Sequence, residues 1–187
     1  MGASSRSCAP KAYWQMDTLP KLEGWHDFYL AVGSGAAALT GLLFVIVSLG
    51  PKVVASNTET GVRAFISPIA THFTSALVVS ALMLAPEIPP VVLGSLVAVG
   101  GFGGVVYTAW TRADAQWRRS KLPILDWIWF VGLPFLAFLL IIGAGIGIAM
   151  NVPLGPHGLA LAIVLLIVIA IRNAWDIVVW MTKQPRD

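Results

Sequence analysis

Two oppositely charged side chains stand one helical turn apart in the apolar stretch "IAIRNAWDIVVWM", residues 169–181. Arg172 and Asp176 are spaced i, i+4, which brings a guanidinium and a carboxylate together on one helix face as an ion pair. One unpaired charge near the middle of a bilayer is unfavourable by about 2.5–3.5 kcal/mol, so each charge needs the other. Three interpretations stay open. The pair is a structural ion pair facing other helices, it is a functional site, or the helix leaves the membrane near residue 172.

Two further ionisable residues are candidates for the same region. His72 lies beside a stripe of hydroxyl residues and is either a packing histidine or a proton relay or pH sensor. The hydroxyl stripe consists of Ser67, Thr71, Thr74 and Ser75. Asp126 follows Pro123 at a predicted helix start, where the helix dipole stabilises a carboxylate, and it is also placed to pair with Arg172. All four ionisable residues are expected in the inner half of the membrane.

Enzymatic chemistry is not indicated by the sequence. No His, Cys and Asp residues stand at metal-ligand spacing, and His26, Asp27 and His157 form at most a low-affinity metal site. The single cysteine, Cys8, has no partner within the chain for a disulfide. Ser34 and His72 are expected to approach from opposite sides of the bilayer, which argues against a catalytic dyad. The sequence therefore predicts no enzyme, and no motif indicates a cofactor.

The composition places the chain in the membrane class. Of 187 residues, 57% are hydrophobic and 11% are charged, with a mean hydropathy of +0.81. Soluble domains carry about 25% charged residues, so this chain has too little polar surface for a water-soluble globule of its size. The net charge of +3 is small and is not gathered in one basic stripe, which argues against nucleic acid as a partner.

Long stretches without charged residues predict an all-α integral membrane protein with five transmembrane helices and short loops. A bilayer core of about 30 Å needs about 20 apolar residues in a helix. The helices are predicted near residues 26–49, 67–86, 90–111, 124–150 and 158–181. They make up a transmembrane domain, residues 25–182, between a polar tail, residues 1–24, and a short tail, residues 183–187. Ser67-Pro68 is predicted as a helix start, and Pro134 as a kink within the fourth helix.

The distribution of basic residues predicts the orientation. Eight of them fall in the loops at 50–66 and 112–123 and in the carboxyl-terminal tail, and none in the turns at 86–90 and 151–158. Because basic residues favour the cytoplasmic side, the amino terminus is expected outside and the carboxyl terminus in the cytoplasm. The eight residues are Lys52, Arg63, Arg112, Arg118, Arg119, Lys121, Lys183 and Arg186. The expected location is a bacterial inner membrane.

Small residues recur on three of the five predicted helices. They let helix backbones approach closely in lipid, where the hydrophobic effect does not drive helices together. The faces are expected to pack helices within the chain, to associate with another chain, or both. The residues are Gly33, Ala37 and Gly41 in the first helix, Gly100 and Gly104 in the third, and Gly143 and Gly147 in the fourth.

The first of these helices, "GSGAAALTGLLFVIVSL", resembles the first helix of small uncharacterised bacterial multi-pass membrane proteins. The resemblance covers about a tenth of the chain and implies no known activity. The sequence thus favours a structural or accessory subunit of a larger membrane assembly, acting through glycine-rich helix faces. The alternative is an oligomeric ion channel or small transporter that uses His72 and the Arg172–Asp176 level. Expected partners are the lipid bilayer and either further copies of the chain or a larger membrane complex.

Overall fold

A computed structural model describes residues 22–49, 61–113 and 128–182, and within these ranges every regular element is helical. Five helices are long and apolar enough to cross a membrane, which confirms the predicted all-α class and helix number. They are α1 (His26–Leu49), α2 (Gly61–Leu84), α3 (Pro90–Ala113), α4 (Leu133–Ala149) and α5 (Leu154–Thr182). A 3₁₀ turn, Leu22–Trp25, precedes α1, and a π-helical turn, Ile128–Gly132, leads into α4.

The predicted start of the second helix at Ser67-Pro68 is wrong. α2 begins at Gly61, six residues earlier, so Pro68 lies inside the helix. Residues 61–66 contain no helix breaker after the glycine, and the helix continues through the proline. An interior proline removes one backbone hydrogen bond, which membrane helices tolerate where neighbouring groups compensate. The observed start of α3 at Pro90 agrees with the predicted boundary.

Pro134 lies in the first turn of α4 instead of inside it. The π-helical turn, Ile128–Gly132, ends two residues before this proline, so a change of helix type stands where the sequence predicted a kink. The fifth helix also starts earlier than predicted, at Leu154 instead of residue 158. The turn before it is correspondingly tighter and uses Asn151 in the left-handed region, at φ 55°.

The helices pack in an order that differs from their order in the chain. α4 lies between α3 and α5, α5 packs against α2, and α2 carries α1 on its other side. The main core is formed by residues from all five helices, among them Tyr29, Val97, Phe138 and Ile163. A second cluster joins Leu43, Ile69, Phe73 and Ala170 between α1, α2 and α5. α1 is therefore the outermost helix of the bundle.

Glycines bring the backbones of α3 and α4 into direct contact. A Cβ atom added at Gly94 would lie 2.4 Å from the carbonyl oxygen of Gly145, and one at Gly145 would lie 2.6 Å from the Ala98 nitrogen. Further along the same pair of helices, a Cβ at Gly104 would lie 2.2 Å from the Phe138 ring. No other residue fits at Gly94 or Gly145 without moving a helix backbone, and this explains the closeness of the pair.

The glycine faces are used only in part within the chain. Gly33 packs against Ser80, Gly104 against Phe138 and Gly147 against Gly155, as expected for helix packing. No described residue packs closely on the other four: Ala37 is exposed, and a Cβ at Gly41, Gly100 or Gly143 would meet nothing within 4 Å. These residues lie on the outward sides of their helices, because α1 turns Gly33 and Ala36 inward, while α3 turns Gly101 and Gly104 inward.

The amino-terminal end of α1 is attached to the start of α5 by aromatic side chains. The hydroxyl of Tyr29, which is fully buried, donates a hydrogen bond to the Pro156 carbonyl oxygen at 3.4 Å. The ring of Trp25 packs edge-on against the His157 ring, with 4.8 Å between their centres. These contacts fix one end of a helix whose main neighbour along its length is α2.

Candidate functional site

The Arg172–Asp176 pair lies on α5 near its carboxyl end. The Nη1 group of Arg172 donates a hydrogen bond to Oδ1 of Asp176, and the two side chains form an ion pair. Both side chains are 37% exposed, so the pair is not enclosed by other helices. The guanidinium carbon lies 5.6 Å from the centre of the Trp129 ring, which the π-helical turn before α4 supplies. An aromatic ring at this distance attracts a cation and covers one side of the pair.

The early start of α5 places the pair deeper along the helix than the sequence suggested. Arg172 is 18 residues from Leu154, the first residue of α5, which is about 27 Å along the helix axis. A membrane core is about 30 Å thick, so the pair falls near the end of a spanning segment instead of its middle. The pair is half-exposed beside Trp129, and whether it is a structural ion pair or a functional site stays a prediction.

Asn173, the residue after Arg172, faces the interior of the protein. Asn173 is fully buried, and neither its amide oxygen nor its amide nitrogen has a hydrogen-bond partner among the described residues. It continues the buried side of α5 that includes Leu166 and Ile169. Asn173 is not among the site residues predicted from the sequence. Its spacing of four from Ile169 and seven from Leu166 was the signal that could have identified it.

His72 is buried in a different place. Only 3% of the residue is exposed, and its ring centre lies 6.0 Å from that of Phe138 on α4. It lines a cavity of about 10 Å³ between α2, α3 and the start of α4, which holds about one water molecule. The other lining residues are Pro68, Tyr107, Thr108, Thr111, Phe130 and Pro134. Since none of these residues belongs to α5, the cavity is separate from the Arg172–Asp176 pair.

The expected cluster of four ionisable residues is thus divided. Arg172 and Asp176 form one pair, and His72 lies in its own cavity. Asp126 lies outside the described residues, so its pairing with Arg172 stays a prediction. Among the residues that the structure describes, no three or more His, Cys, Asp or Glu side chains are grouped to hold a metal ion. The chemistry of the described site is therefore that of a half-exposed ion pair with an aromatic ring on one side.

A larger space opens between α2 and α3. It is a groove of about 350 Å³, open to the side of the bundle, with Phe138 and Ile141 of α4 as its floor. The wall on α2 carries the hydroxyl groups of Thr71, Thr74 and Ser75. The wall on α3 includes Gly100, whose lack of a side chain leaves the groove open. The hydroxyl stripe that stood beside His72 in the sequence therefore faces this groove, while His72 points to the other side of α2.

In the described residues these features define an all-helical protein with five helices of membrane-spanning length and apolarity, an ion pair near one helix end and hydroxyl groups along a lateral groove. The chain matches no protein-family model, and no detectable match to it was found among curated proteins or solved structures.

Proposed function

We propose that the protein is a multi-pass membrane protein with its amino terminus outside and its carboxyl terminus in the cytoplasm, and that it is an accessory subunit of a larger membrane assembly. The five apolar helices support insertion into a bilayer. The eight basic residues between the first and second helices, between the third and fourth, at the adjoining helix ends, and in the carboxyl-terminal tail support the orientation. A bacterial inner membrane suits this distribution.

The outward face of α1 carries this proposal. In the membrane-spanning stretch of α1, 17% of the residues are buried, against 33–44% in the other four helices. One flank of α1, beside the face that packs on α2, presents Ser34, Ala37 and Gly41, all exposed. The buried seam that contains Tyr29 and Ala36 lies on the adjoining side of the helix. A small-residue face that no described helix covers is suited to close contact with a helix of another chain.

Photocrosslinking in native membranes tests this function. A photoreactive amino acid at position 37 is expected to give a crosslinked product, and the same residue at position 35 is the control. Gly35 is exposed on α1 but points about 120° away from the Gly41 side, and nothing lies within 4 Å of a Cβ there. Adding Gly41→Leu is expected to reduce the product at position 37 more than fivefold, because the larger side chain keeps the helices apart.

The mass of the product separates the two kinds of partner. A product of twice the chain mass identifies a second copy, and any other mass identifies a different subunit by peptide sequencing. Equal products from positions 35 and 37, or a product at position 37 that Gly41→Leu does not alter, would overturn the docking role of this face.

An oligomeric ion channel or small transporter is the second candidate. The half-exposed Arg172–Asp176 pair favours it, because charges that face outward are available to line a pathway between copies of the chain. His72 does not share that position, since it lies in the small cavity between α2, α3 and the start of α4. Ion flux measured in proteoliposomes decides between the candidates. A leak that Arg172→Leu abolishes supports the channel. No leak from the unmodified protein supports the subunit.

A further inference from the structure

The groove between α2 and α3 has the dimensions of one hydrocarbon chain. Its lining on α2 runs from Ala70 to Val79, nine residues or about 14 Å along the helix. Its space of about 350 Å³ is well below the roughly 1,000 Å³ that a helix segment of this length takes up. A helix with its side chains is about 10–12 Å wide and does not fit. A single carbon chain does, because apolar carbon atoms pack about 4 Å apart.

The polar side of the groove selects the chemistry of its occupant. Thr71 donates its hydroxyl hydrogen to the Ser67 carbonyl oxygen, in the pattern that helical hydroxyl groups commonly use. Thr74 and Ser75 also line the groove, and no hydrogen bond joins either hydroxyl to another described residue. Both therefore have a hydrogen to donate. The groove lining contains no charged residue, so the matching ligand is neutral and carries an acceptor oxygen.

The depth of these hydroxyl groups distinguishes between membrane lipids. Thr74 and Ser75 are eight and nine residues from Ile66, the first residue of the apolar span of α2, or about 12–14 Å along it. That is near the middle of a core about 30 Å thick. The ester groups of phospholipids lie in the interfacial region at the edge of the core and do not reach this level. A neutral ring with carbonyl groups enters the core without leaving a charge there.

From this geometry we propose that the groove binds an isoprenoid quinone. A ring carbonyl accepts a hydrogen bond from Thr74 or Ser75, and the single chain lies along Phe138, Ile141 and Val79. The flat ring is about as thick as one layer of carbon atoms, about 4 Å, and enters the groove edge-on. This inference rests on the membrane insertion proposed above and is independent of the docking of α1.

Retention of quinone by the purified protein tests the assignment. The full chain is reconstituted in lipid nanodiscs that contain ubiquinone-10 at a fixed mole fraction. It is then extracted in mild detergent, and quinone per mole of protein is measured by chromatography with ultraviolet detection. Gly100→Leu fills the groove and is expected to lower retained quinone at least fivefold. Gly143→Leu is the matched control: Gly143 is exposed, has open space above it and does not line the groove.

A second variant removes the hydroxyl groups and keeps the shape. Thr74→Val with Ser75→Ala is expected to weaken quinone retention about tenfold, since each lost hydrogen bond is worth about 0.5–1.5 kcal/mol and about 1.4 kcal/mol is a tenfold change. Ser95→Ala is its control, because Ser95 is exposed on α3 and bonds to its own helix. Unaltered thermal unfolding of each variant shows that the fold is retained.

Three results would overturn the quinone assignment. Equal retention by Gly100→Leu and Gly143→Leu would show that the groove is not the site. Loss of bound phospholipid with unchanged quinone would make the occupant an acyl chain. A change of oligomeric state on Gly100→Leu would mean that a second copy fills the groove. Failure of membrane insertion is detected separately, by extraction of the protein from membranes with alkaline carbonate.

Discussion

At the scale of single residues, adjacent positions of α5 carry half-exposed charges and a buried amide. Arg172 and Asp176 are half-exposed and satisfy each other, with Trp129 over the guanidinium. Asn173, one position along, is fully buried and has no partner among the described residues. An amide in that situation loses the hydrogen bonds it made to water, which is unfavourable by about 1–3 kcal/mol. The carboxamide is therefore the unfavourable polar group of this region, and the ion pair is not.

Replacing this amide with a hydrocarbon of similar size is expected to stabilise the protein. Asn173→Leu should raise the free energy of unfolding by about 1–3 kcal/mol, measured by reversible denaturation in mixed micelles. Asn173→Asp keeps the shape and adds a buried charge, so it should lower the same quantity by more than about 3 kcal/mol. A loss of stability in Asn173→Leu would show that the amide has a partner in a segment beyond the described residues.

Removing one charge of the ion pair should destabilise the protein more than removing both charges. Asp176→Ala leaves the guanidinium without its counter-charge, while Arg172→Leu with Asp176→Leu removes both charges. The single variant is expected to give a lower yield of folded protein than the double variant. The free energies of unfolding of the two variants should differ by on the order of 1 kcal/mol, because both side chains are 37% exposed. Equal yields, measured by size-exclusion chromatography after extraction, would mean that solvent already neutralises the pair.

At the scale of helices, close packing depends on which glycine of a series faces a neighbour. α4 carries Gly143, Gly145 and Gly147 at every second position, so the three point in different directions. Gly145 touches the backbone of α3, Gly147 approaches Gly155 on α5, and Gly143 faces outward. One helix thus uses neighbouring glycines for two different contacts, which lets α4 lie between α3 and α5.

Two alanine substitutions on α4 separate packing from helix propensity. Gly143→Ala should raise the free energy of unfolding by up to about 1 kcal/mol, because alanine favours the helix and the new methyl group meets open space. Gly145→Ala gains the same propensity but places its Cβ 2.6 Å from the Ala98 nitrogen, so it should destabilise by about 1–3 kcal/mol. Thermal unfolding of both variants in the same detergent measures the difference. Similar stabilities would mean that α3 and α4 are further apart than the structure shows.

The sequence predicted where the helices lie along the chain better than it predicted where each helix begins or which of its sides faces a neighbour. α1 occupies the predicted range, and α3 begins where "IPP" predicts it. The predicted start of α2 was wrong because Pro68 was taken as the first helical residue, and the turn before α5 was predicted four residues too long. Membrane helices extend past such prolines when the residues before them are apolar and can continue the hydrogen-bonded turn.

At the scale of the whole molecule, the packing order keeps the two candidate sites apart. The groove between α2 and α3 opens to the side of the bundle, and none of its lining residues belongs to α1. The exposed small-residue face belongs to α1, which does not line the groove. A partner helix on α1 and a lipid in the groove therefore use different surfaces, and each proposal can be tested without disturbing the other.

Orientation in the membrane is a prediction for the molecule as a whole. In a Cys8→Ser background, cysteines introduced by Pro86→Cys and Val152→Cys are expected to react with a membrane-impermeant maleimide in intact cells. Lys183→Cys should react only after the membrane is opened. Both turn residues are exposed, so access to the reagent is limited by the membrane alone. Labelling of position 183 in intact cells, with turns 86 and 152 protected, would reverse the orientation.

The sequence by itself determined the number of long apolar helices and the pairing of Arg172 with Asp176. These follow from the length of charge-free stretches and from i, i+4 spacing, both of which are local. Only the tertiary structure decided that Asn173 faces inward and that Gly41 and Gly100 face outward. Lipid and protein interior are equally apolar, so the hydrophobic pattern of a membrane helix does not reveal which side meets a neighbour, and packing between helices has to settle it.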